Sequence, residues 1–234
     1  MKLLAFDTST DACTVAVMVD QQVLVDHRLA SQKQGELLLP MIDELMTEAG
    51  LTAGNLDALV FGRGPGSFTG VRIGVAAAQG IALGADVGVF GVSTLQAIAQ
   101  GCYREYGDSA VAVSVDARMD EVYFCEYQCD QDGLMQPLAD EQIALPGAVQ
   151  WQRAEQWAGS GAECYEQILH DVFSVSPSHI RRARLPQAAD LLTIGVQALH
   201  RGALQPAELA SPVYLRNKVA LTTAQRAAKQ ELAK

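Results

Sequence analysis

The sequence predicts an α/β protein of two lobes, the second one reduced. Three observations carry that expectation. Short runs rich in β-branched residues open the chain, joined by connections too short to hold a helix. Single helical patterns then alternate with short apolar runs. A strand, an Asp-led turn and a second strand occur twice, about 110 residues apart, which reads as a duplicated unit.

Leu3 to Phe6 is apolar and ends at Asp7-Thr8-Ser9-Thr10; Thr14 to Val19 ends at Asp20-Gln21-Gln22; Val23 to Leu29 follows at once. Connections this tight imply an antiparallel meander. Glu36 to Ala49 carries Leu38, Met41, Ile42, Leu45 and Met46 at helical spacing, with Pro40 inside and Gly50 behind. Pro40 implies a helix that starts close by or kinks, and Gly50 is a C-terminal stop. Leu56 to Phe61 reads as a buried strand, Gly62 to Gly66 as a turn and Phe68 to Leu83 as a helix. Val87 to Val92 and Leu95 to Tyr106 are the next strand and helix. Single helices between later strands require crossovers and parallel pairing. A mixed sheet with a leading meander is the order of actin-like, sugar-kinase-like and ribonuclease-H-like folds, an analogy of architecture only.

The second half repeats the opening. Val111 to Val115 ends at Asp116, the turn Ala117-Arg118-Met119-Asp120 follows, and Glu121 to Tyr127 returns. Helical patterns are expected over 147–157, 163–172 and 188–201, joined by loops that Pro177, Pro186, Pro206 and Pro212 punctuate. The expected division is a first lobe over 1–106, a reduced second lobe over 107–216 and a polar tail over 217–234.

The 234 residues are 49% hydrophobic and 19% charged, the balance of a folded chain with an ample core. A net charge of -10 repels phosphate backbones and argues against tight nucleic-acid binding by this chain alone. Arg181, Arg182 and Arg184 form the one basic cluster, either an RNA contact or a solvated loop. The apolar run at the N-terminus stops at Asp7, short of the roughly 7–15 residues of a signal-peptide core. Val71 to Val92 is interrupted by Arg72, Gln79 and Asp86, so no membrane span is expected. Of five irregularly spaced cysteines only Cys125 and Cys129 are close, a spacing that suggests neither zinc nor a redox pair, and a reducing cytoplasm is expected.

Four segments resemble the TsaB family. They are Leu4-Ala5-Phe6-Asp7-Thr8-Ser9-Thr10; Gly62-Arg63-Gly64-Pro65-Gly66-Ser67-Phe68-Thr69-Gly70-Val71-Arg72-Ile73-Gly74; Val115-Asp116-Ala117-Arg118-Met119-Asp120-Glu121-Val122-Tyr123; and Pro212-Val213-Tyr214-Leu215-Arg216-Asn217. They occur in order along nearly the whole chain, and the glycine-rich run is the most specific. The resemblance implies a two-lobed actin-like fold. It also implies a partner: the paralogue TsaD, which holds the metal and nucleotide and performs the transfer, with the ATPase TsaE joining the assembly.

Three places carry candidate functional residues. ATP-using members of such folds read Asp-x-Gly-Thr at the first hairpin; here Thr8 stands where glycine would, and a β-branched residue resists positive φ and blocks close approach. Asp7 remains a candidate for a metal or cofactor, against the alternative that Asp7, Thr8 and Ser9 simply bond their own turn. The glycine run precedes a helix but lacks the Lys of a Walker loop, and Ser67 or Thr69 is the expected helix cap.

Within that helix Gly70, Gly74, Ala78 and Ala82 repeat every four residues, so one face is nearly bare. Such a face packs either on its own sheet or against a partner helix. Leu37, Leu38, Met41, Ile42 and Leu45 on the preceding helix spread wider than the ~100° stripe one core face needs. The resemblance favours the partner reading, since the two helices look like those that bundle with TsaD or with a second copy. The third place is the turn with Asp116, Arg118 and Glu121, which in this family lines the cleft between lobes and is a candidate for function in the complex. Where TsaD carries two metal-binding histidines four apart, this chain has Thr94 and Ile98.

The resulting expectation is a non-catalytic cytoplasmic subunit. It binds TsaD and enables threonylcarbamoyl transfer to adenosine 37 of tRNAs that read ANN codons. It touches tRNA only indirectly, forms a homodimer when TsaD is absent, and has no cofactor of its own, ATP and metal belonging to the partner subunits. The alternatives are a stand-alone actin-like ATPase or small-molecule kinase, and a peptidase acting on TsaD.

Overall fold

The structure, a computed structural model, describes residues 1–30 and 32–216; the expected polar tail lies outside the described residues. The opening meander is β1 (Lys2–Asp7), β2 (Ala12–Val19) and β3 (Gln22–Leu29), each antiparallel to the next. Then come α1 (Gln34–Glu48), β4 (Ala58–Gly62), α2 (Phe68–Ala85) and β5 (Val89–Val92). β4 lies parallel to β1 and β5 parallel to β4, giving the order β3-β2-β1-β4-β5, the expected ribonuclease-H-like arrangement. β1 and β4 are covered on both faces, which is why they read as unbroken apolar runs instead of alternating ones. α1 continues through Pro40.

A second sheet contains β6 (Ala110–Asp116), β7 (Val122–Cys129), β8 (Met135–Pro137), β9 (Gln142–Ala144), β10 (Gln156–Ala158) and β11 (Ile180–Arg181). Its order is β11-β10-β6-β7-β8, with β9 also on β7. β6 and β7 are antiparallel, while β10 and β11 add parallel to β6. This is the first sheet's plan again with shortened outer strands, so the faint repeat in the sequence is a repeat of topology. The strands of two or three residues, β8 to β11, carry too few positions for an alternation signal.

Two helices differ from expectation. Residues 147–157 form no α-helix. Their backbone wraps the buried Glu126 instead: the N–H groups of Gln152, Arg153 and Ala154 donate to its carboxylate at 2.8, 2.6 and 2.6 Å. Charge-assisted bonds of that kind outweigh helix propensity. The pattern over 163–172 is broken at Tyr165 into α4 (Ser160–Cys164) and α5 (Glu166–Phe173).

The last helix of each half covers the other half's sheet. α3 (Thr94–Tyr106) follows β5 but buries Leu95, Ile98, Ala99 and Cys102 against Val111, Val113 and Tyr127 of the second sheet. α6 (Ala188–His200) follows β11 but packs Leu191, Leu192 and Ile194 on Leu3, Ala5 and Val60 of the first. Where α3 and α6 meet, Arg104 grips the buried Asp190 through two bonds of 2.8 and 3.1 Å. A Cβ on Gly101 would stand 2.9 Å from Asp190 Oδ2, so glycine admits that contact. The division expected at residue 106 therefore separates the strands of the two sheets but not the helices that cover them.

Candidate functional site

The β1–β2 turn lies where the parallel strands β1 and β4 end side by side. Asp7 sits over Gly62, whose Cβ, if present, would come within 1.7 Å of Asp7 Oδ2. The Ser9 N–H and hydroxyl both donate to Asp7 Oδ1 at 2.7 Å. From α3, Thr94 Oγ1 lies 2.7 Å from Ser9 Oγ and 3.3 Å from Asp7 Oδ2. Burial pushes the Asp7 carboxyl above its usual pKa, and the Ser9 bonds only partly oppose that. Both carboxylate oxygens are engaged, Oδ1 by Ser9 and Oδ2 by Thr94. That geometry favours the self-bonded turn over a cofactor role for Asp7.

The neighbouring residues close the same space. Thr8 Oγ1 donates to the Gly70 carbonyl oxygen at 2.8 Å. A Cβ on Gly70 would lie 2.0 Å from the Thr8 carbonyl oxygen, and one on Gly66 would lie 2.3 Å from that of Ser9. The glycine run is therefore a socket for the β1–β2 turn. Ser67 caps α2, accepting from the Gly70 N–H at 3.4 Å.

That packing also corrects the expected interface. Gly70, Gly74, Ala78 and Ala82 point inward, against the turn and the first sheet, and Ala78 is 0% exposed. On α1, Leu38, Met41, Ile42 and Leu45 are buried in the same core, and Leu37 is half-buried beside it. Small residues here let a helix approach its own sheet. The sequence reading named the inner stripe and missed the outer one.

The outer face of α2 carries Phe68, Arg72, Ala76, Gly80 and Leu83, all exposed. Leu83 is 64% exposed and Phe68 53%. Ile73, Ala77 and Ile81 flank it half-buried. Arg72 is the only charged residue of the 18 in α2. α2 is long and apolar enough by composition to cross a membrane, but its inner stripe is packed on the first sheet as in a core helix.

The turn between β6 and β7 is the third candidate place. Asp116 Oδ1 accepts from the Arg118 N–H at 2.9 Å, and Asp116 Oδ2 lies 3.1 Å from the Arg118 guanidinium, a pair with Arg118 83% exposed and worth less than about 1 kcal/mol. Arg118, Met119 and Asp120 have φ of 62°, 58° and 61°. Three consecutive left-handed residues without glycine cost about 1–2 kcal/mol each. Arg216 offsets that cost, pairing with Glu121 at 2.5 Å and bonding the carbonyls of Ala117 and Arg118. Sequence reading found Asp116, Arg118 and Glu121 but assigned Arg216 no part.

Glu141 was also missed, since a lone acid in a loop has no periodic signal. It clasps the two halves at a shallow cavity of about 310 Å³ lined by Arg63, Ser93, Gln96, Tyr127 and Leu215. Its carboxylate accepts from the Ser93 hydroxyl and, at 3.1 Å, from the Tyr127 hydroxyl, with the Arg63 guanidinium 3.4 Å away. Burial and then the Glu141 charge push the Tyr127 phenol well above its usual pKa. The basic cluster, by contrast, is neutralised. Arg181 bonds Asp108 at 2.8 and 2.7 Å, Arg182 pairs with Glu166 at 2.7 Å, and Arg184 pairs with Glu105. That favours the structural alternative over an RNA contact.

The TsaD positions occupied here by Thr94 and Ile98 are both used for packing: Thr94 in the Asp7 network, Ile98 in the second-sheet core. The four histidines, His27, His170, His179 and His200, are exposed on separate elements.

Comparison with known proteins agrees with this architecture. Residues 25–224 match the family described as TsaD, tRNA N6-adenosine threonylcarbamoyltransferase. The tRNA threonylcarbamoyladenosine biosynthesis protein TsaB of Escherichia coli strain K12 is 41% identical over 94% of this chain and 96% of its own. The Haemophilus influenzae protein of the same name is 37% identical over 94% and 95%. Two solved structures from Pseudomonas aeruginosa, one called YeaZ and one described as an uncharacterized protein with similarity to peptidase YEAZ, superpose with a TM-score of 0.85. Each is 40% identical and covers 92% of this chain and 99% of its own.

Proposed function

This chain belongs to the TsaB family, within the wider family that TsaD typifies, and from that premise we propose that it is a non-catalytic subunit that binds TsaD. In that role it enables threonylcarbamoyl transfer to adenosine 37 of tRNAs that read ANN codons, in the cytoplasm, with tRNA held mainly by other subunits. ATP and metal belong to TsaD and to TsaE, which joins the complex.

The observation that carries the proposal is the outer face of α2. A helix with one charge in 18 residues exposes Phe68, Ala76, Gly80 and Leu83 together. An apolar face of that kind marks an interaction surface, and its small residues admit a partner helix closely. A relative built on the same duplicated plan is the natural occupant. When it is absent, a second copy of this chain pairs through the same face about a two-fold axis.

The kinase reading is disfavoured by the socket that seats Thr8 and by the buried, fully bonded Asp7. The peptidase reading needs a base free to activate a nucleophile, whereas the carboxylates beside Ser9 and Ser93 are already engaged, Asp7 in its own turn and Glu141 by Tyr127 and Arg63. Gel filtration of this chain with TsaD tests the proposal: one co-eluting peak is expected, split into two by Ala76→Arg. Two peaks for the unaltered chain would remove it.

A further inference from the structure

Residues 203–216 leave α6 and run back across the first half. Gln205 pairs with Val89 in an isolated antiparallel bridge, the Ala210 carbonyl accepts from Gln79 Nε2 at 2.8 Å, and the Val213 N–H donates to the Arg63 carbonyl at 2.9 Å. Tyr214 then lies on the N-terminal end of α2. Its ring centroid is 5.7 Å from that of Phe68, and its hydroxyl accepts from Arg72 Nε at 2.7 Å. The Arg72 guanidinium carbon stands 3.6 Å from the centre of the Phe68 ring. Two residues further on, Arg216 crosses to the other half. Its Nη2 donates to the carbonyls of Ala117 and Arg118 at 3.0 and 3.2 Å, and its Nη1 pairs with Glu121.

Those carbonyls belong to the loop with three left-handed residues in succession. The loop's own bonds are few: the Ala117 N–H to the Glu121 carbonyl at 2.9 Å, the Glu121 N–H to the Arg118 carbonyl at 3.2 Å, and the Arg118 N–H to Asp116. Strained backbone persists only where its surroundings over-determine it. A planar guanidinium that bonds two successive carbonyls and the carboxylate beside them supplies that determination.

We propose that Pro212–Arg216 is a latch that couples the outer end of α2 to the loop 117–121, with Arg216 as the positioning residue that holds the loop's left-handed backbone. A change in the surroundings of Phe68 or Arg72 shifts Tyr214. Tyr214 is two residues from Arg216, so the shift reaches a loop in the opposite half. The latch stands on contacts within the chain and holds whether or not α2 docks TsaD.

Amide hydrogen exchange on the whole chain tests it, read by mass spectrometry for the peptide over 116–122 against one from β1. Arg216→Gln should speed exchange in the loop by about tenfold or more with β1 unchanged. Tyr214→Phe keeps the ring but loses the bond to Arg72. It should speed loop exchange in the same direction by a smaller factor, although it touches no loop atom. An unchanged loop in Arg216→Gln would overturn the proposal. So would a loop that responds to Arg216→Gln but not to Tyr214→Phe, or a rise that is equal in β1.

Discussion

The Thr8 hydroxyl donates to the Gly70 carbonyl oxygen at 2.8 Å, tying the β1–β2 turn to the first turn of α2. Gly70 and Gly74 are glycines because the turn leaves no room for a Cβ. Thr8→Val keeps the shape and removes the donor, leaving the Gly70 carbonyl only its place in the helix ladder. It should cost about 0.5–1.5 kcal/mol in urea unfolding. Thr8→Ser should recover most of that loss. Equal stabilities for Val and Ser would show that the bond is incidental.

Asp7 makes a pH-dependent prediction. Its pKa is raised above the ordinary value of 3.8, chiefly by burial. A raised value means that the group's contribution is fully present below the unfolded pKa and is lost as pH rises through the folded one. At pH 7 the buried carboxylate is therefore a net burden, and Asp7→Asn should be at least as stable as the unaltered chain. Its advantage should shrink as pH falls from the raised folded value towards 3.8 and be gone below it. Thermal melts across that range measure the gap, and a variant clearly less stable at pH 7 contradicts the assignment.

The two faces of α2 predict opposite outcomes for small enlargements. Ala78 is 0% exposed against the sheet, so Ala78→Leu should destabilise by about 1–3 kcal/mol through overpacking. A Cβ on Gly80 meets nothing within 4 Å. Gly80→Ala should therefore stabilise the isolated chain by roughly 0.5–1 kcal/mol, the gain in helix propensity. Chemical denaturation of the pair checks which stripe faces inward.

Much of the fold was legible because its signals are long. β1 to β5 and α1 to α3 follow from period and turn chemistry, and the repeat from the recurrence of Asp-led turns. The outer strands of the second sheet were illegible, since two or three residues hold no alternation. Residues 147–157 misled because Glu126, more than twenty positions away, gathers their N–H groups. The interface was misplaced for a different reason. α2 has small residues on both faces, Gly70 to Ala82 within and Ala76, Gly80 and Gly84 without. Periodicity finds a stripe but not the side on which the sheet lies. Arg216 and Glu141 join segments distant in sequence, and no local pattern announces such partners.

Threonylcarbamoyladenosine formation in a reconstituted mixture with TsaD and TsaE tests the central claim most directly, since that claim locates this chain's contribution on the outer face of α2 and not at Asp7. Asp7→Asn should support product formation close to that of the unaltered chain, while Ala76→Arg, which leaves the fold intact, should lower it by about tenfold or more. Loss of product with Asp7→Asn, together with full activity in Ala76→Arg, would contradict the account.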